Sequence, residues 1–201
     1  MSQPKSLFQI VGAKLPTARW STGVLLLIDH QMEYDVGGGL ELPDVAQAKR
    51  ELALLLSKAR AKGTPVVHVA HHSAPGAPLF DPKGPNSAFM PELAPKDGEA
   101  VVIKSLANSF AKTTLDGELA KAGRKELIVA GFMTHNCVSS TVRASVEHGY
   151  RSTVVKNACA TRDLPDPCGG VIPADVLHQV CLTGLADALA LVVKSADDIE
   201  D

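Results

Sequence analysis

The sequence predicts an α/β fold of three layers, in which a doubly wound parallel sheet is covered by helices on both faces. Three observations carry this expectation. Its strands read as continuous apolar runs, the pattern of strands buried on both faces. Between them lie segments whose apolar residues recur at helical spacing. Short turns marked by glycine separate strand from helix, as crossover connections between parallel strands require.

Gly23-Val-Leu-Leu-Leu-Ile-Asp29 is the first strand, ending abruptly in Asp-His-Gln. Pro43 to Lys62 opens with a proline suited to a first helical turn. It then spaces Val45, Ala48, Leu52, Leu55, Leu56 and Ala59 along one face and closes at Gly63. Thr64 to Ala70 is the second strand. Residues 71–98 are rich in Pro, Gly and His without periodicity, and a loop of that length in a compact domain is usually functional. Glu99 to Lys104 is the third strand, Thr113 to Ala122 a short helix and Glu126 to Ala130 the fourth strand. Val138 to Glu147 is a helix, Arg151 to Lys156 the fifth strand, Pro173 to Ala186 a helix and Leu189 to Val193 the last strand. We expect a single domain over 1–201, with a core over about 23–193, a polar leader over 1–20 and an acidic tail from Ser195 that frays.

Composition narrows the function classes. A chain of 201 residues, 45% hydrophobic and 21% charged, is long enough to bury one substantial core. The net charge of -2, from 20 basic and 22 acidic side chains without a basic run, argues against a nucleic-acid partner. No apolar stretch approaches the roughly 20 residues of a membrane helix, and Met1 to Pro16 lacks a signal-peptide core, so a soluble cytoplasmic protein is expected. The four cysteines, Cys137, Cys159, Cys168 and Cys181, show neither a CxxC pair nor zinc spacing, which fits a reducing compartment.

Three reactive side chains take equivalent places in this scheme. Asp29 ends the first strand, Lys104 ends the third and Cys137 follows the fourth, so all three fall on one rim of a parallel sheet. Singly, each has an ordinary explanation as a turn residue, a solvated charge or a small buried hydrophobe. Jointly they supply an acid/base, a cation and a nucleophile. A thiol at a strand-to-helix junction also meets the positive end of a helix dipole, which favours thiolate.

The segments Leu27-Ile-Asp29-His-Gln31, Val102-Ile-Lys104 followed by Phe110, and Ala130-Gly-Phe-Met-Thr-His-Asn-Cys137-Val-Ser-Ser-Thr141 resemble the isochorismatase-like cysteine hydrolases. The likeness runs from about Gly23 to Val193 and includes Asn157-Ala-Cys-Ala-Thr-Arg-Asp163. It implies a six-stranded parallel sheet, an Asp29, Lys104, Cys137 triad and no cofactor. The implied reaction cleaves a carbon–nitrogen bond of a small amide, ureido or carbamoyl compound through a Cys137 thioester. By the same resemblance, the backbone N–H groups of Met133 and Cys137 form the oxyanion hole, beside a cis bond between Phe132 and Met133. A homo-oligomer, dimer or tetramer, is implied as well. Two alternatives stay open: vinyl ether hydrolysis of the isochorismatase type, and a non-catalytic binding or scaffold protein of the same fold.

The remaining candidates are substrate contacts. Tyr34 matches a pocket-lining aromatic position of the family, with an ordinary half-buried tyrosine as the alternative, and Phe132 lies beside it in the same reading. Gln31 is a candidate hydrogen-bonding group near the triad, or a loop cap. His68, His71 and His72 invite a metal reading, but on a strand His68 and His72 share a face that His71 does not. Related nicotinamidases carry an Asp-x-His pair here that this chain lacks, which disfavours metal. His71 or His72 is then a candidate contact for a polar or anionic part of the substrate. Substitution of Asp29 by Asn is expected to keep the fold but abolish alkylation of Cys137 at neutral pH. Gly37-Gly-Gly39 lacks a following Lys-Ser or Lys-Thr and reads as a turn rather than a phosphate loop.

Overall fold

The computed structural model describes residues 3–201. Six strands form one parallel sheet: β1 (Gly23–Ile28), β2 (Val66–His71), β3 (Ala100–Lys104), β4 (Glu126–Phe132), β5 (Arg151–Ala160) and, after a small hairpin of β6 (Leu164–Pro165) and β7 (Val171–Ile172), β8 (Ala190–Val193). Their order across the sheet is β3-β2-β1-β4-β5-β8, so the chain winds outward from β1 in one direction and then from β4 in the other. The switch between β1 and β4 is the place where α/β sheets of this kind open a crevice at their carboxyl ends.

Every residue of β1 is buried, because both faces are covered. Leu25 and Leu27 point into a cluster with Leu52, Leu55 and Leu56 of α2 (Val45–Lys62), together with Ile128 and Ala130 of β4. Val24, Leu26 and Ile28 point the other way, toward Leu115 and Leu119 of α3 (Leu115–Ala122), Val142 of α4 (Ser139–Glu147), and Leu182 and Leu185 of α5 (Ala174–Ala188). The period-2 alternation thus divides one apolar run between two cores, and each fully buried Leu contributes about 1.5 to 3 kcal/mol. In α2 the six predicted apolar positions are the six buried ones, and Gly63 ends the helix at φ 64°.

Several local features depart from the sequence expectation. The leader holds a short helix, α1 (Leu7–Ile10), closed by a Ser6–Gln9 capping box. The fifth strand runs on to Ala160 through a shift in its register with β4, between Val129 and Gly131. The acidic tail is packed rather than frayed: Ala196 and Ile199 are buried, Lys58 pairs with Asp197 and Trp20 N–H donates to the Glu200 carbonyl. These contacts bury two apolar side chains and satisfy backbone groups that an acidic composition alone does not reveal.

Gly131 allows β4 to pass β1 closely. Its φ is 123°, and a Cβ there would lie 2.0 Å from the Ile28 carbonyl oxygen, so no other residue fits near the end of β4. Gly38 and Gly39 meet backbone and side-chain oxygens of Met32 and Glu33 as closely, which accounts for that glycine run as a tight turn. Among the described residues, no helix is long and apolar enough to cross a membrane.

Candidate active site

The three strand-end residues meet. Lys104 Nζ lies 2.7 Å from Asp29 Oδ2 and donates to Cys137 Sγ at 3.2 Å and to His71 Nδ1 at 3.1 Å. The topology explains why the cation is a lysine. Strand β3 is separated from β1 by β2, a lateral distance of about 9.5 Å from two strand spacings, and a long flexible side chain must cross beneath His71, its register partner on β2. All three triad residues are buried, Asp29 completely.

Asp29 is the first residue beyond β1 and sits at φ 52°, a left-handed conformation that Asp tolerates better than most side chains. Its N–H bonds the Val69 carbonyl. Lys104, 2.7 Å from Oδ2, holds the group by its charge and by hydrogen bonding, and the Cys137 thiol also favours its charged form. Burial raises the Asp29 pKa from the ordinary carboxylate value, against the opposing effect of Lys104.

Cys137 does not open a regular α-helix, as the sequence suggested. It lies in a π-helical turn, Thr134–Val138, between β4 and α4, in which Val138 N–H reaches back to the Met133 carbonyl. The thiol is pushed up to about 12, first by burial and then by the Asp29 charge, with Lys104 opposing. The resting thiolate expected from a helix dipole is therefore replaced by a neutral thiol beside an ionised carboxylate. Burial and the adjacent anion outweigh a terminal dipole, whose effect is confined to about one turn.

The bond between Phe132 and Met133 is cis, in the loop that carries the predicted oxyanion N–H groups of Met133 and Cys137. Phe132 is fully buried and meets Tyr34 edge-on at 5.7 Å. Tyr34 is buried too, and burial followed by the charges of Asp29 and Cys137 raises its pKa. Both aromatics belong to the core cluster on the α2 side of the sheet. Gln31 bridges strands: its amide donates to the His71 and Ser87 carbonyls at 3.0 and 2.7 Å and accepts from His71 N–H at 2.8 Å. With three backbone partners, that side chain fastens the end of β1 to β2 and to the long loop.

His71 is half-buried and faces the site, while His68 points to the opposite side of the strand and contacts Glu99, the alternation read from the sequence. Burial and then Lys104 lower the His71 pKa to about 4, so the ring is neutral and its Nδ1 is an acceptor. Asp29, His71 and Cys137 bring ligand atoms within 4.8 Å of one another. The donor set does not fit a metal ion, because the Lys104 ammonium already contacts all three and a second cation there would meet its charge at close range.

One residue escaped the sequence reading. Arg162 follows β5 on the same rim, its Nε is buried without a partner, and its charge bears on Tyr34 and His135. Its signal in the sequence was only its place in Thr161-Arg-Asp163 after a strand. A cavity of about 380 Å³ opens beside the triad, lined by Gln47 of α2, by Lys156, Asn157 and Thr161, and by His178 of α5. Its wall includes none of Asp29, Lys104 and Cys137. Thr134, at the start of the π-turn, contacts His178 Nδ1 at 2.8 Å and separates the two regions.

Comparisons with known proteins converge on one family. A family model described as the isochorismatase domain matches residues 23–196. The crystal structure of an isochorismatase from Pseudomonas putida superposes with a TM-score of 0.92 at 41% identity, covering 98% of this chain and 100% of that one. The secreted isochorismatase effector Isc1 of Verticillium dahliae is 36% identical over 192 residues, 96% of this chain and 98% of its own length. Maleamate amidohydrolase of Pseudomonas putida is 33% identical over 153 residues, covering 69% of this chain and 72% of its own.

Proposed function

The chain belongs to the isochorismatase family of hydrolases, and from that premise we propose that it cleaves a carbon–nitrogen bond of a small amide, ureido or carbamoyl substrate through a thioester on Cys137. The observation that carries this reading is the meeting of a buried thiol, an acid/base and a cation: Lys104 Nζ stands 2.7 Å from Asp29 and 3.2 Å from Cys137 Sγ, and ligand atoms of Asp29 and Cys137 lie within 4.8 Å of each other. Asp29 takes the thiol proton as Sγ bonds to the substrate's carbonyl carbon. The oxyanion is stabilised by the N–H groups of Met133 and Cys137. As the carbon–nitrogen bond breaks, protonated Asp29 gives its proton to the leaving nitrogen. Water then loses a proton to Asp29 and attacks the thioester, and the sulfur leaves and regains the proton. The net change is amide plus water to acid plus amine or ammonia.

The Arg162 guanidinium, whose buried Nε has no partner, supports an acidic substituent on the substrate, in the pattern of maleamate, which the similar amidohydrolase acts on. We propose that it meets a small-molecule substrate as a homo-oligomer, as the family resemblance implies, and in the cytoplasm, as expected from the apolar pattern of the sequence. Release of ammonia or amine from a panel of amides with and without a carboxylate tests the reading. Turnover is expected for wild type and none for Cys137→Ala, whereas turnover that survives in Cys137→Ala removes the covalent route.

A second reading, vinyl ether hydrolysis of the isochorismatase type, draws on the names of the similar effector and of the crystal structure. It uses Asp29 as proton donor and leaves Cys137 without a role. Isochorismate cleavage undiminished in Cys137→Ala, with no amide turned over by wild type, would select it.

A further inference from the structure

Behind Asp29 runs a buried chain of hydrogen bonds that the mechanism does not use. Arg60 of α2 grips Glu99 with two bonds, Nε to Oε1 at 2.7 Å and Nη2 to Oε2 at 2.8 Å. Glu99 also accepts from Lys96 N–H and contacts His68 Nε2 at 2.9 Å. His68 Nδ1 in turn lies 3.0 Å from His30 Nε2. His30 and His68 are both completely buried, and His30 stacks on Phe89 at 4.6 Å.

Proton counting fixes the tautomers. Arg60, Lys96 N–H and His68 hold Glu99 ionised against its burial, at about 2, so the carboxylate accepts and His68 must carry its proton on Nε2. His68 Nδ1 is then an acceptor, and His30 must donate from Nε2. His30 Nδ1 has no aligned hydrogen-bond partner, and the Leu93 backbone beside the ring opposes, without outweighing, the effect of burial. Both imidazoles are held neutral, chiefly by burial. The direction of every bond is therefore set from Arg60 inward.

The chain ends one peptide bond from Asp29. The Asp29 carboxylate is held at its outer end by Lys104, 2.7 Å away, and sits at φ 52°, so its orientation also depends on how firmly the backbone of residues 29–31 is held. His30 is the middle residue of that segment, and its carbonyl also receives Met90 N–H from the long loop.

We propose that His30 and His68, oriented by Glu99 and Arg60, are positioning residues that hold the Asp29 carboxylate against Cys137 and Lys104. It rests on Asp29 acting as the base, yet its test needs no substrate. Wherever the carboxylate is held beside the thiol, its charge suppresses the thiolate; a carboxylate released from that place lets the thiol titrate lower.

The experiment follows iodoacetamide alkylation of Cys137 against pH, with the other three thiols resolved by peptide mapping, in the full chain. His30→Leu removes the donor and keeps an apolar filling, whereas His30→Gln returns an N–H near the Nε2 position. The expected result is an alkylation midpoint about one unit lower in His30→Leu, equivalent to about tenfold faster reaction at a fixed pH below it, with His30→Gln close to wild type. Greater access to the thiol alone would scale the rates without moving the midpoint. A midpoint unmoved in folded His30→Leu, or moved equally in both variants, would overturn the assignment. Should His30→Leu fail to fold, Glu99→Gln releases the tautomer choice from the partly exposed end of the chain. A downward shift there supports the assignment, and an unmoved midpoint rejects it. Absence of amide turnover in wild type would count against the hydrolase reading and leave this measurement unaffected.

Discussion

Asp29 opposes the ionisation of Cys137: burial first and then the carboxylate push the thiol up to about 12, and Lys104, in contact with both, offsets only part of this. His71 beside them is neutral. Substrate binding that orients an electrophile over sulfur gives the thiol proton its reason to move.

Asp29→Asn separates chemistry from thiol reactivity. The sequence led to the expectation that this change abolishes alkylation. The geometry reverses it, because removal of the anion leaves Lys104 donating to sulfur. We predict loss of amide turnover by about 10²-fold or more together with faster iodoacetamide alkylation at neutral pH. Steady-state rates and alkylation kinetics on one preparation check both halves.

Lys104→Met strands a fully buried carboxylate. Breaking a buried pair in this way costs about 3 to 5 kcal/mol, so the Tm should fall clearly. The double change Asp29→Asn with Lys104→Met should recover most of that loss, since no charge then remains buried. Thermal unfolding of the single and double variants reads the difference, while both stay inactive.

Arg162→Ala should act on binding more than on chemistry. For carboxylate-bearing amides KM is expected to rise about 10- to 100-fold, the scale of a lost charge-assisted bond, with kcat little changed. Neutral amides should show no such rise. The comparison of KM across the two substrate classes is the measurement.

Acid should weaken the fold before it reaches the carboxylates. His30, His68 and His71 have native pKa values below 6.5, His71 at about 4, each chiefly through burial. The unfolded chain therefore binds more protons than the native one as pH falls from about 6.5 toward 4, so stability present above that window is lost across it. Urea midpoints measured from neutral pH down to pH 4 should decline. In His71→Gln the decline should be shallower.

Much of this was legible in the chain. Apolar runs without alternation announced strands covered on both sides, and the spacing from Val45 to Ala59 named every buried position of α2. The convergence of Asp29, Lys104 and Cys137 followed from their shared position at strand ends. The unread parts depend on contacts distant in sequence. The extension of β5 to Ala160 needs its neighbour Gly131, the packed tail needs α2 and Trp20, and the Arg162 charge acquires meaning only beside Tyr34. The protonation state of Cys137 was misjudged because a local rule about helix ends was applied where burial and a nearby carboxylate dominate.

The most direct test is to quench the enzyme during turnover of an amide substrate and weigh the Cys137 peptide by mass spectrometry. An acyl group on Cys137, absent in Cys137→Ser and accumulating before release of the acid, is the predicted result. A Cys137 peptide that stays unmodified while amide is consumed at an undiminished rate by Cys137→Ala would contradict the account.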